Sequence, residues 1–261
     1  MVHDLPPDAL RPALAALLEH EPEIYLRRSA GRETFLWLPE EGDAGLRSVA
    51  PVVVKRSRRR SFPGWRGRDV RPGGRREHEN LRALAADGIP VPRAITWCEE
   101  RAEILGRPAR SVVVMERVEH RETLRDRLER SGELERRAWS RELARLVARL
   151  HGRGWCHRDL YLQHFLVPWP EEPGRRRLVL IDVGRARRDR RLGDRWVVKD
   201  LAALLHSAPD GVGERERLRF LAGYLDLRGI ADRAARRRLA RAVAVKSLRM
   251  KAHVPRDERG G

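Results

Sequence analysis

The sequence predicts an α+β chain built as two lobes, β-rich toward the N-terminus and mostly helical after it. Three observations carry that prediction. Short β-rich runs at Thr34–Leu38, Val52–Val54 and Ser111–Met115 fall within the first 118 residues. The strongest helical periodicity lies later, over Glu135–His151, where Trp139, Leu143, Leu146, Val147 and Leu150 recur at i, i+3/i+4 spacing. From Lys199 onward the chain reads helical throughout, so strands precede helices rather than alternate with them.

Element by element, Ala9–Leu18 reads as a short N-terminal helix, and residues 24–55 read as extended with a turn at Glu40–Gly45. Arg56–Arg76 is rich in Arg, Gly, Ser and Pro and reads as an irregular insertion, with Pro72-Gly73-Gly74 as a breaker. Glu77–Asp87 reads as a helix with Leu81 and Leu84 on one face and Gly88 as its stop. Thr123-Leu124-Arg125-Asp126 is a capping box opening another helix. Cys156–Phe165 reads as loop and Leu178–Ile181 as a short apolar strand. The lobe break is expected near Glu116–His120, giving an N-terminal lobe of residues 1–118, with the basic insertion 56–76, and a helical lobe of 119–261.

Composition narrows the function class. Two cysteines, Cys98 and Cys156, exclude a disulfide scaffold, and no apolar run approaches the roughly 20 residues of a membrane span. The expectation is a cytoplasmic chain. The net charge of +18 points to an anionic partner, yet only four of the 56 basic residues are lysine, a skew in the manner of genomic base composition. Lys55 is the only lysine in the first 198 residues. A compact ammonium suits a phosphate pocket that a planar guanidinium does not fit. Aromatic residues make up 5%, too few to interleave a single-stranded nucleic-acid platform, so nucleic acid is not expected as partner.

The chemistry concentrates in His157-Arg158-Asp159-Leu160-Tyr161-Leu162-Gln163-His164 and in Ile181-Asp182-Val183-Gly184. A carboxylate on a loop after a long helix faces the acceptor hydroxyl in phosphoryl transfer. A second, 23 residues on at a strand end, holds Mg²⁺ on the phosphates. Asp159 and Asp182 fit those roles. Upstream, Lys55 ends the valine strand as a phosphate-binding lysine should, and Glu77 on the next helix can pair with it. Glu116 and Val118 end a strand at the lobe break, where backbone N–H and C=O groups can meet an adenine edge. His151, His157 and His164 have spacings that fit no helical zinc pair, and His157 reads as a histidine of the loop core. Asp200 reads as a brace for the loop, and Tyr161 and Gln163 read equally as sugar contacts or packing.

These residues resemble the lipopolysaccharide core kinases, the heptose and Kdo kinases of a protein-kinase-like fold. The resemblance runs from about residue 24 to 225. It rests on Gly31-Arg32-Glu33-Thr34, Val54-Lys55-Arg56, Arg76-Glu77, Gly88-Ile89-Pro90, the loop from His157 to Leu166, Ile181-Asp182 with Arg185-Ala186, Lys199-Asp200-Leu201, and Arg219-Phe220-Leu221 with Tyr224. It implies ATP as phosphoryl donor, Mg²⁺ as cofactor, and a lipid-linked sugar hydroxyl of the lipopolysaccharide inner core as acceptor. It implies Gly31 at the phosphates and His164 beside Asp182 at the metal, where His164 ligates directly, acts through water, or holds the loop. Only Gly31 remains of a Gly-rich loop, and only 17 residues separate Asp182 from Asp200, too few for a peptide platform. An atypical protein kinase, an aminoglycoside-type phosphotransferase and an inactive anion-binding module are the competing readings. A peripheral seat on an anionic inner-membrane leaflet is expected from Arg56, Arg58, Arg59, Arg60, Arg66, Arg68, Arg71, Arg75 and Arg76. Phe62 and Trp65 lie among them, and the basic stretch Lys246–Arg256 adds to the charge. The oligomeric state is left open.

Overall fold

The computed structural model describes residues 16–29, 31–37, 51–58, 73–101, 108–172 and 176–252. They gather into two compact units, one of residues 1–86 and 91–118, the other of 87–90 and 119–261.

Unit 1 is a five-stranded antiparallel sheet. Its strands are β1 (Ile24–Ser29), β2 (Arg32–Trp37), β3 (Val52–Arg58), β4 (Ala94–Arg101) and β5 (Pro108–Glu116), in the order β1-β2-β3-β5-β4. The period of two along β3 explains its role. Val52 and Val54 point into a core with Phe35, Trp37, Val112, Val114 and the helical turn at residues 16–19, which supplies Leu17 and Leu18. Lys55 alternates to the other face, opposite Thr34 and Val113, where helix α1 (Gly74–Ala86) packs.

Two sequence expectations change here. The stretch from Arg56 to Arg76 is not irregular at its ends: β3 runs on to Arg58, and α1 begins at Gly74 instead of Glu77. The Gly74 N–H donates to Ser111 Oγ at 3.1 Å, and the missing Cβ lets the helix start press on the β5 backbone. Arg56 is also not a lipid-facing charge. Its Nη1 donates to the carbonyls of Leu17, Leu18 and His20 at 3.2, 3.0 and 2.8 Å, closing the end of that helical turn. Its Nε and Nη2 reach Glu33 Oε2 at 2.8 and 2.6 Å. Residues 9–15, 40–45 and 59–72, with the turn and most of the basic insertion expected there, lie outside the described residues.

Unit 2 opens with β6 (His120–Thr123) and the capped helix α2 (Leu124–Arg130). Thr123 and Asp126 exchange the two bonds of the box. Helix α3 (Glu133–Gly152) buries Trp139, Leu143, Leu146, Val147 and Leu150, the periodic set. The loop expected over Cys156–Phe165 is bounded by β7 (Trp155–Cys156) and β8 (Phe165–Pro168), with a 3₁₀ turn at Leu162–His164 between them. β8 pairs with β6 and with β9 (Val179–Leu180), and β7 pairs with β10 (Arg187–Arg188). Helices α4 (Asp194–His206), α5 (Glu214–Leu227) and α6 (Arg233–Lys251) complete the unit, α4 packing on α6 and α3 on α5. No helix among the described residues is long and apolar enough to cross a membrane. The class is α+β, as the residue pattern predicts.

Candidate active site

In unit 1, Lys55 Nζ lies 2.5 Å from Glu77 Oε1, with both side chains largely buried. The strand register and the first full turn of α1 bring them together, while Glu79, two residues on, pairs with Arg75 at the helix surface at 2.8 Å. Gly31 turns the β1–β2 hairpin with φ +80°, a left-handed conformation that favours glycine. At the end of β5 the Glu116 N–H donates to the Arg93 carbonyl at 2.9 Å and its carboxylate meets Arg93 Nε at 3.2 Å. That backbone donor is spent inside the unit. Val118 closes the unit's sequence.

In unit 2 the loop that carries Asp159 hangs on Asp200. This carboxylate is fully buried in α4, and it accepts the backbone N–H of His157 at Oδ2 and of Arg158 at Oδ1, both at 2.7 Å. Arg158 takes φ +74°, rare for a side-chain-bearing residue, and the two amide bonds hold it there. Behind Asp200, His151 Nε2 stands 3.4 Å from Oδ2 and its Nδ1 is 2.8 Å from the Tyr224 hydroxyl. A carboxylate only accepts, so Nε2 carries the proton and Nδ1 accepts from Tyr224. Burial raises the Tyr224 pKa, so the phenol stays a donor. His157 is wholly buried and held neutral by that burial, its Nε2 donating to the Ile181 carbonyl at 3.0 Å.

The loop then presents Asp159, His164 and Asp182 together. The Ile181 N–H donates to the His164 carbonyl at 2.9 Å, which ties the strand carrying Asp182 to the 3₁₀ turn. His164 Nδ1 is 2.8 Å from the Asp159 carbonyl, which can only accept, so the ring proton sits on Nδ1. With the ring neutral, the Nε2 lone pair faces Asp182 Oδ2 at 3.6 Å. Two acceptors facing each other suit a cation between them. Among the described residues no group of three or more His, Cys, Asp or Glu could hold a metal, so phosphates and water would supply the remaining ligands, as is usual for Mg²⁺. Asp182 itself is left-handed at φ +59°, which aims its carboxylate back at His164. Tyr161 packs edge-on against His164 and His206, and Gln163 is exposed.

Two residues given no role by the sequence stand at Asp159. Arg185 Nη1 lies 2.7 Å from Asp159 Oδ2 and 3.0 Å from Oδ1, and Lys199 Nζ lies 3.7 Å from Oδ1. The scarcity that singles out Lys55 applies equally to Lys199, the second of four lysines.

Comparison with known proteins follows this geometry. The sequence model of the lipopolysaccharide kinase (Kdo/WaaP) family matches residues 64–224. Two relatives are each described as lipopolysaccharide core heptose(I) kinase WaaP. The chain is 35% identical to that of Pseudomonas aeruginosa strain PAO1 over 162 residues, covering 58% of this chain and 59% of the relative. It is 33% identical to that of Escherichia coli over 87 residues, covering 32% and 33%. The chain thus spans about three-fifths and one-third of these relatives. A solved structure described as WaaP in complex with acyl carrier protein superposes with a TM-score of 0.65 at 26% identity, covering 94% of both chains. The chain belongs to the lipopolysaccharide kinase (Kdo/WaaP) family.

Proposed function

We propose that the chain is an ATP-dependent kinase that phosphorylates a sugar hydroxyl, of heptose or Kdo, in the lipopolysaccharide inner core. Residues 1–118 form the nucleotide-phosphate lobe and 119–261 the catalytic lobe. The observation that carries the proposal is Asp159, held on a strained loop by Asp200 beside the paired Asp182 and His164, in a member of this family. Asp159 orients the acceptor hydroxyl and takes its proton. Asp182 and His164 would hold Mg²⁺, which when bound neutralises charge on the β- and γ-phosphates. Lys55, fixed by Glu77, pairs with the phosphates. Gly31 lets the hairpin backbone approach them, and the segment from Glu116 to Val118 meets the adenine.

The test incubates the full chain with labelled ATP, Mg²⁺ and either dephosphorylated core glycolipid or a generic protein. Label is expected in the glycolipid alone. Asp159→Ala should lose on the order of 10²–10⁴ in kcat while nucleotide binding survives. Asp182→Ala should lose Mg²⁺-dependent nucleotide binding as well. Label in the protein substrate, or near-normal turnover by Asp159→Ala, would refute the assignment.

A partner belongs to the same proposal. The solved neighbour is described with an acyl carrier protein. Unit 2 contains an almost wholly apolar cavity of about 450 Å³, lined in part by Trp139, Leu143, Leu162, Leu204, Phe220 and Val243. Such a lining suits an alkyl chain and not a sugar. We therefore extend the proposal to an acyl carrier protein whose acyl chain enters this cavity. Acylated carrier should raise the thermal midpoint of the chain and unacylated carrier should not.

A further inference from the structure

Asp159 is held by two cations at once. Arg185 and Lys199 both converge on this one carboxylate, Arg185 on both oxygens and Lys199 on Oδ1. A third cation stands in the same field. Arg158 lays its guanidinium 4.9 Å from the Trp196 ring, and its Nε is buried without a hydrogen-bond partner. The nearby carboxylate of Asp200 is committed to backbone amides. The Lys199 side chain is only 26% exposed. Its burial works against the ammonium and lowers its pKa, the Asp159 charge pulls it back up, and Arg185 and Arg158 oppose it further. A largely buried ammonium that shares the Asp159 carboxylate with a guanidinium, while the other near carboxylate, Asp200, is committed to backbone amides, is suited to a second anion.

The position of the Lys199 ammonium says which anion. It lies beside Asp159, the carboxylate to which the proposed reaction brings the acceptor hydroxyl. The anion that arrives beside that hydroxyl in the reaction is the phosphoryl group in flight, whose charge spreads over three equatorial oxygens. Residue type agrees, since the chain keeps lysine at only four positions against 52 arginines, and a point charge can follow a moving phosphoryl group where a planar fork cannot.

Resting on the kinase reading above, we propose that Lys199 is a catalytic residue that binds an equatorial oxygen of the transferring phosphoryl group. Arg185 is a positioning residue that holds the Asp159 carboxylate. In the step, the acceptor oxygen bonds to the γ-phosphorus as its proton passes to Asp159. The bond from that phosphorus to the bridging oxygen breaks, and ADP departs with the electron pair. Lys199 keeps its three protons throughout and moves its ammonium from Asp159 Oδ1 toward the phosphoryl oxygen as negative charge shifts.

The experiment uses the full chain with Mg²⁺, ATP and core glycolipid. It also measures the affinity for ADP with and without aluminium fluoride, a planar mimic of the transferring group. Lys199→Gln should lower kcat on the order of 10²–10³, the usual loss for one preorganised donor. It should leave the KM values and ADP affinity close to wild type and abolish the gain in affinity that aluminium fluoride brings. Lys199→Arg should keep the thermal midpoint yet fail to restore kcat. Arg185→Gln should also lower kcat, and Arg185→Lys should recover most of it, because a single Arg185 nitrogen makes both contacts.

Three results overturn the assignment. Full kcat in Lys199→Gln would be the first. Raised acceptor KM with kcat and the aluminium fluoride gain intact would place the anion on the acceptor instead. A loss of kcat that merely follows a lowered thermal midpoint would make Lys199 structural. A wild-type chain that binds no ADP would instead sink the kinase reading itself, so the two failures are distinguishable.

Discussion

At the scale of the residue, Lys55 and Lys199 show what a sequence exposes and what it conceals. Lys55 is legible because it ends a run of valines and because lysine is scarce. Lys199 is as scarce, yet its meaning depends on Asp159, 40 residues away in sequence, and only the packing of α4 under the loop brings the two together. Lys55→Arg should fail nearly as badly as Lys55→Ala in nucleotide-dependent turnover, because a guanidinium cannot keep the 2.5 Å contact with Glu77 and also present a point charge. Steady-state kinetics of the two variants check this, and an active Lys55→Arg chain would contradict it. Cys156 gives a second prediction. It is buried, and that burial pushes its thiol up to about 11, leaving a thiolate fraction near pH 7 on the order of 10⁻⁴. Iodoacetamide should therefore spare Cys156 in the native chain at neutral pH and reach it on unfolding or near pH 11, as peptide masses would show.

Among the elements, those defined by local pattern were legible: the Thr123 capping box, the apolar stripe of α3, and the central strands β3 and β5. The elements that escaped are defined by their neighbours. β4 is an edge strand whose second half, Cys98-Glu99-Glu100-Arg101, carries charge where alternation would be sought. β7 and β10 are two residues each and exist only through pairing with one another. The start of α1 escaped because Gly73-Gly74 has the composition of a breaker. Gly74 is in fact demanded by contact, since a Cβ there would lie 2.7 Å from the Val112 carbonyl oxygen, a backbone atom that cannot step aside. Gly74→Ala should cost about 1–3 kcal/mol, the range for overpacking. Gly88→Ala, at φ +75° but with nothing within 4 Å of its would-be Cβ, should cost about 1 kcal/mol of backbone strain alone. Urea unfolding of both variants tests the difference, and equal losses would refute the steric reading.

For the molecule as a whole, the +18 charge needs sorting by what the arginines do. Arg56 closes a helical turn, Arg75 pairs with Glu79, Arg136 with Glu216 and Arg185 with Asp159, so part of the charge is committed inside the fold. The attachment to an anionic leaflet that the sequence leads one to expect then falls to the remainder, including Arg58 and the stretch 59–72 with Phe62 and Trp65. Each basic residue at the surface of such a leaflet contributes about 1 kcal/mol, screened beyond about 8 Å at physiological salt. Vesicle co-sedimentation should need anionic lipid, fall steeply with salt, and drop when Arg58–Arg60 and Trp65 are replaced, whereas Arg56→Gln should lower stability instead. Equal binding to neutral vesicles would overturn that expectation. The bonds from His157 and Arg158 to the carboxylate of Asp200 carry one more consequence, for the rate at which the molecule trades hydrogen with solvent. Loop amides ordinarily exchange through small local openings. These two point at a carboxylate with no exposure, so releasing them means lifting α4 out of the helical body. Their deuterium uptake should run at the slow pace of the helices around them, which makes the proposed substrate-facing segment among the last parts of unit 2 to open.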